Sequence, residues 1–270
     1  MKLRYFGYNA FLIETGEYRI AIDPGALFFY WFRFSPLIPK HLWPGISHIL
    51  VTHGDPDHYW HVDRVAGAAA APVIFHNSML RDVGGRQLAL GPRSKGVVFN
   101  TALDRVHGLS VNQTVAVEGL QLTGLAAVHG DLQLQLGPFT HTVKTGPGER
   151  IGWGAMGFDI AVNHKRLVNL GDTLLLEPEL LESEWQPYAG ADVLMIPIGG
   201  RLAHNTMSED EALQAVKVLQ PEVVIPCHYN CPGLFSRRLN PADDLQFKRD
   251  VESLGIRCEI LQPGEALRLD

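Results

Sequence analysis

Within the six residues His53-Gly54-Asp55-Pro56-Asp57-His58 stand two imidazoles and two carboxylates. Crowded groups of this kind repel or desolvate one another unless a cation sits among them. The spacing therefore points to metal binding, although a His/Asp-rich turn is also what a solvated loop looks like. Three later segments add to it: His129-Gly130-Asp131, Gly171-Asp172-Thr173 and Cys227-His228-Tyr229-Asn230. Each follows an apolar run that reads as a strand. Together His53, Asp55, Asp57, His58, His129, Asp172 and His228 make seven donors. That number suits two divalent ions roughly 3.5–4 Å apart with one bridging carboxylate. Asp57 and His58, adjacent at a tight turn, can serve the same ion.

Other polar residues are weaker candidates. Asp23, in Asp23-Pro24-Gly25, can accept a hydrogen bond from a metal-ligating histidine or simply cap its own turn. Cys227 and Cys231 flank His228, which makes a thiolate ligand conceivable, but buried apolar thiols are the commoner fate. His204 lies in a loop before a helix start, where it could face substrate. The remaining histidines carry no signal beyond surface or capping roles.

The elements that must position these residues can be read in outline. Leu3–Phe6, Phe11–Glu14 and Arg19–Ile22 read as short strands closed by the Asp23-Pro24-Gly25 turn. Ile46–Val51 is the strand that delivers His53–His58, ended by Gly54 and Pro56. A helix over Val62–Ala71 and a strand over Val73–Phe75 follow; residues 84–114 carry no firm pattern. Val115–Val117, Leu120–Val128 and Leu132–Leu136 read as strands, and 137–154 as a glycine-rich loop at an active-site edge. Phe158–Val162 and Arg166–Leu170 form a hairpin, Glu177–Trp185 a short helix and Asp192–Pro197 a buried strand. Ser208 and Glu211 make a capping box ahead of the stripe Ala212, Ala215, Val216 and Leu219. Glu222–Pro226 is a further strand. Asn240-Pro241 opens a last helix with Leu245, Lys248, Val251 and Leu254 on one side, and Arg257–Leu261 is the final strand. The order strands, helix, strands, helix recurs in each half, so one domain over 1–270 with two similar halves packed sheet to sheet is expected. In that arrangement the donor-bearing strand ends converge on one edge.

Composition narrows the partners. A net charge of -6 and short basic pairs such as Lys165-Arg166 and Arg237-Arg238 argue against a nucleic-acid groove. Three cysteines and no signal-like N-terminus lead to the expectation of free thiols in a reducing cytoplasm. Residues 26–45 hold seven of the 24 aromatics, interrupted by Arg33, Pro36, Pro39 and Pro44. That is too short to span a bilayer. It must instead bury against the core, a second subunit, a membrane surface or an apolar substrate. Peripheral membrane contact through 26–45 and a homo-oligomer are therefore both open.

The motif His53-Gly54-Asp55-Pro56-Asp57-His58 resembles the His-x-His-x-Asp-His signature of the metallo-β-lactamase superfamily, and His129, Asp172 and His228 match its later ligands. The resemblance covers nearly the whole chain. Phe6–Asp23, Gly157–Thr173 and Thr206–Asn230 look like the branch containing ascorbate-6-phosphate lactonase and uncharacterised metal-dependent hydrolases. It implies an α/β fold, a four-layer αβ/βα metallo-β-lactamase-like sandwich, with a dinuclear site at one edge. It also implies that His53, Asp55 and His129 hold one metal, Asp57, His58 and His228 the other, with Asp172 between them. Two departures stand out: Asp55 replaces the second histidine of the motif, and Tyr8 replaces the histidine of an early Gly-His pair. An oxygen donor at 55 shifts preference from zinc towards manganese, iron or magnesium.

The expected protein is a metal-dependent hydrolase carrying two divalent ions, zinc, manganese or iron. A hydroxide between the metals attacks the small-molecule substrate, and Asp57 orients it and passes on its proton. A lactone, ester or thioester fits the branch. The alternatives are a lipid or other small phosphodiester, as in the superfamily's N-acyl-phosphatidylethanolamine phospholipase, and a degenerate, non-catalytic binding member.

Overall fold

Alternation with period two sorts each central strand between two cores. In Arg19–Ile22, Ile20 and Ile22 enter one apolar cluster and Ala21 another. In Val193–Pro197, Val193 and Met195 enter the first of these and Leu194 and Ile196 a third. A strand buried on both faces needs a layer on each side, which yields helix, sheet, sheet, helix. The chain, seen in a computed structural model describing residues 1–27, 34–83, 86–89, 105–136, 138–146, 151–232 and 238–269, has that four-layer αβ/βα architecture. Phe28, Phe29, Tyr30, Trp31 and Phe32 of the aromatic segment lie outside the described residues.

The first seven-stranded sheet runs Val106–Leu109, Val73–His76, His48–Leu50, Arg19–Ile22, Phe11–Glu14, Lys2–Tyr5, Ala266–Arg268. Its first three pairings are parallel and the rest antiparallel. The second seven-stranded sheet runs Thr114–Val117, Leu120–Ala126, Met156–Val162, Lys165–Asn169, Val193–Pro197, Val223–Cys227, Arg257–Cys258. Here three antiparallel pairings precede three parallel ones. The two sheets thus repeat one plan, and Leu3, Phe11, Leu50 and Ile74 of one pack against Leu122, Phe158, Met195 and Ile225 of the other.

The outer layers are held by packing. Val62, Val65 and Ala66 of the helix Val62–Ala69 cover the first sheet, together with Leu37, Ile38 and Trp43 from the aromatic segment. Ala212, Ala215, Val216 and Leu219 of Glu209–Leu219 cover the second. Ser208 and Glu211 close the expected capping box. A cap is worth about 1 kcal/mol, whereas fully burying one Val or Leu contributes about 1.5–3 kcal/mol. The cap sets where this helix starts; the stripe decides where it lies.

Three expectations need correction. The glycine-rich stretch 137–154 contains a strand, Phe139–Val143, which pairs with Leu132–Leu136 as a hairpin. The last helix begins at Asp244, because the Asp243 side chain caps the Gln246 amide, and not at Pro241. It buries Phe247 and Val251, while Leu245 and Leu254 are exposed. Steps of three drift about 60° per step around a 3.6-residue helix, so a 245, 248, 251, 254 stripe wraps half-way round. The final strand is cut to Arg257–Cys258, and Ala266–Arg268 crosses back to the first sheet.

Candidate metal centre

Strand His48–Leu50 lies between two parallel neighbours and leads through Val51 and Thr52 to His53. Asp55 is extended (φ -74°, ψ 151°), and Pro56 opens a single helical turn, Pro56–Tyr59, that carries Asp57 and His58. Proline at the first helical position sacrifices no hydrogen bond and presets φ. The Asp55 carboxylate does not cap this turn. Its Oδ1 instead accepts the Gly152 N–H at 3.0 Å. Close approach explains two glycines here. A Cβ on Gly25 would lie 1.7 Å from the Asp57 carbonyl oxygen, and one on Gly152 would lie 2.4 Å from the His129 ring. His129, Asp172 and His228 arrive from the ends of Leu120–Ala126, Lys165–Asn169 and Val223–Cys227 in the second sheet.

All seven sequence-predicted donors meet at this edge. Their side chains form three groups whose nitrogen and oxygen atoms lie within 4.8 Å of one another: His53, Asp55 and His129; Asp57, His58 and His228; and His53, His58 and Asp172. Asp55 Oδ2 is 3.5 Å from His53 Nε2 and 3.7 Å from His129 Nε2. Asp57 Oδ2 is 3.3 Å from both His58 Nε2 and His228 Nε2. Asp172 Oδ2 reaches three imidazoles, at 2.9 Å from His228, 3.5 Å from His58 and 3.9 Å from His129.

The ring orientations suit a cation. His58 Nδ1 donates to Asp23 at 2.7 Å, and His129 Nδ1 donates to the Gly130 carbonyl at 2.8 Å. In each ring that leaves Nε2 as the atom pointing into the cluster. His53 Nε2, His129 Nε2 and Asp172 Oδ1 are buried with no hydrogen-bond partner. Each such orphan costs about 1–3 kcal/mol, a penalty that a cation between them would remove. The donors fit divalent ions.

Asp23 is itself fully buried and fully used. It accepts from the Thr52 amide (2.7 Å), the Thr52 hydroxyl (2.6 Å) and Asn9 Nδ2 (2.6 Å) besides His58. The Asn240 amide group lies 2.9 Å from His228 Nδ1, and the Tyr8 ring meets His228 edge-on. Tyr8, Asp23 and His228 all have left-handed backbones (φ 51°, 46° and 52°). Strain of this sort gathers at functional sites.

The electrostatics of the two clusters differ. Burial opposes charge on His58, yet the Asp172, Asp57 and Asp23 carboxylates outweigh it and raise its pKa well above the ordinary value. Burial likewise opposes charge on His228, but Asp172 and Asp57 push it up to about 9. Asp172, also against its burial, is held well below the carboxylate range by His228 and His58. Asp57 is lowered in the same way by His58 and His228. His129 is lowered, first by burial and then by His53.

Other sequence candidates fall elsewhere. His204 is exposed and left-handed (φ 55°) at the end of the turn Gly200–Ala203. It lines a cavity of about 480 Å³ with Arg201, Ser208, Glu211, Asp243 and Phe247, and none of the seven donors lines that cavity. Cys227 and Cys231 are buried free thiols that donate to Asn9 Oδ1 and the Tyr229 carbonyl. Among the described residues no cysteine joins a metal-capable group. Asn9, Asn169, Asn240 and Gly152 were not singled out from sequence. Asn9 and Asn169 bond to each other across the two sheets at 3.0 Å, and only the three-dimensional pairing reveals it. Gly152 had one signal, its place in the glycine-rich 137–154 stretch.

A family model described as "Beta-lactamase superfamily domain" matches residues 2–228. The chain is 30% identical over 270 residues to a UPF0173 metal-dependent hydrolase from Desulforamulus reducens, with both chains covered completely. Among solved structures it is similar to Igni18, a metallo hydrolase from Ignicoccus hospitalis (TM-score 0.67, 23% identity, 100% of this chain and 99% of that one). It also resembles CmlA, a diiron β-hydroxylase from Streptomyces venezuelae (TM-score 0.66, 16% identity, 99% of this chain and 54% of that one). At these identities the two structures share the fold alone.

Proposed function

Because the chain belongs to the beta-lactamase superfamily and is a metal-dependent hydrolase, we propose that it cleaves a lactone, ester or thioester at a two-ion centre. His53, Asp55 and His129 would hold one ion, Asp57, His58 and His228 the other, with Asp172 shared. The observation that carries this reading is that three of the gathered ligand atoms, His53 Nε2, His129 Nε2 and Asp172 Oδ1, are buried without a hydrogen-bond partner at the sheet edge. When bound, the ions supply Lewis acidity that polarises a carbonyl and acidifies water.

The protein's own groups divide the remaining work. The Asp57 and Asp55 side chains are 21% and 16% exposed, against 0–3% for the other five donors. Substrate and water therefore approach over these two carboxylates. Asp57, ionised beside His58 and His228, orients the attacking water and takes its proton in passing. Its low basicity makes it a relay, ready to hand the proton to the departing oxygen or sulfur. Asp23 and Gly130 fix the tautomers of His58 and His129, so neither ring must reorganise during the reaction.

Protein purified without chelator, analysed for metals and assayed on lactone, ester, thioester and phosphodiester reporters, tests the reading. Two ions per chain and turnover of a carbonyl substrate are expected. Turnover of the phosphodiester alone would reassign the substrate class. Inertness to all four reporters under metal saturation would contradict hydrolysis at this site.

A further inference from the structure

The first ligand set differs from the pattern that the motif resembles at one position, and the surrounding structure has fitted itself to that difference. Asp55 does not hang loose in the place of a longer imidazole. Its Oδ1 is taken by the Gly152 N–H at 3.0 Å, and the same loop is fastened to the motif by Gly54 N–H donating to the Trp153 carbonyl, also 3.0 Å. Gly152 adopts φ +62° so close to His129 that a Cβ there would meet its side chain at 2.4 Å. One loop residue thus sets both the carboxylate and an imidazole of the set. The clamp leaves Asp55 a single oxygen, Oδ2, for the space shared with His53 and His129.

Three consequences follow from general coordination chemistry. Both ligand sets now have the same composition, two imidazoles and one carboxylate, with Asp172 against both. Two imidazoles and one carboxylate with open positions is the arrangement that suits iron(II), and oxygen donors suit manganese(II). Zinc is also held by two imidazoles and a carboxylate in catalytic sites, but a further nitrogen or sulfur donor favours it more than it favours manganese. Charge favours dications as a class without choosing among them: among the described residues, every ion pair made by Asp55, Asp57 and Asp172 is with an imidazole, so no lysine or arginine offsets the three carboxylates.

We propose that Asp55, clamped by the Gly152 amide, is the metal-selecting residue of this protein and tunes the first ligand set towards iron(II) or manganese(II) at the expense of zinc. The inference rests on the two-ion reading above. It is a statement about a ratio, because zinc outranks manganese and iron at almost any site of nitrogen and oxygen donors. Asp55 narrows that advantage relative to a histidine at the same position.

The test is competitive binding. Metal-free full-length protein and the Asp55→His variant are titrated with manganese(II) and zinc(II) against a chromophoric chelator, and folding is checked by circular dichroism. The zinc-to-manganese affinity ratio of one of the two sites is expected to rise about tenfold or more in Asp55→His, the scale on which a ligand's surroundings move metal affinity, while that of the other stays put. Should that variant fail to fold, Asp55→Cys, whose softer thiolate favours zinc over manganese, should raise the same ratio. An unchanged ratio in the folded variant would overturn the assignment of Asp55. Wild-type protein binding fewer than two ions of either metal would instead overturn the two-ion reading on which it stands.

Discussion

The two ligand sets are alike in composition and opposite in how they are held. In the second set, Asp57, His58 and His228, other side chains do the bracing: Asp23 fixes His58, and Asn240 and Tyr8 flank His228. In the first set, His53, Asp55 and His129, the backbone does much of it. The Gly152 amide holds Asp55 and the Gly130 carbonyl holds His129, with the Thr52 hydroxyl beside His53 Nδ1. The second set surrounds its imidazoles with carboxylates, so without a cation they retain protons; His129 of the first set is driven neutral by burial and by His53. A side-chain brace can be removed group by group with graded effect. A backbone brace gives way only when the chain's conformation changes, so the first set should fail abruptly.

The largest effect is expected at Asp23. Asp23→Ala strips the acceptor from Asn9, Thr52 and His58 at once at a fully buried position. Removing one partner of a buried charged network costs about 3–5 kcal/mol, which urea unfolding of metal-free protein would register. Gly152→Ala comes next: its Cβ collides with the His129 ring in a left-handed conformation. The variant should retain one ion per chain by elemental analysis; retention of both would refute the backbone-brace account. Asn240→Ala should weaken the second set alone, lowering its affinity about 10-fold while the first set's affinity in chelator competition stays put.

The smallest effect lies away from both sets and serves as their control. His48, near the start of the strand run that delivers His53, is buried with Nε2 donating to the Val117 carbonyl at 2.8 Å. Burial lowers its pKa below the ordinary 6.5. The unfolded chain therefore binds the proton more readily, so this contribution to stability is complete above about pH 6.5 and is lost as pH falls below it. His48→Gln should flatten that acid-side loss slightly in denaturant melts and leave metal content unchanged. A steeper loss in the variant would reverse the sign argued here.

The gathering of these residues was legible in the sequence because a strand end followed by a turn leaves few places for a polar side chain to go. Four such ends in two matched sheets can meet only at one edge, and His53, His129, Asp172 and His228 do. The capping box at Ser208 was legible because its physics is local. What was not legible is non-local. Nothing near Asn9 in sequence announces Asn169, 160 residues away. The Phe139–Val143 strand hides because it stands among glycines and none of its side chains is buried. The last helix was misread because a three-residue spacing was taken for a face, whereas Phe247 and Val251 are spaced by four.

The most direct test of the central claim is anomalous diffraction at the manganese edge from crystals grown with excess manganese. Two peaks per chain are predicted, one among His53, Asp55 and His129, the other among Asp57, His58 and His228, with Asp172 touching both. A single peak, or none, would contradict the account.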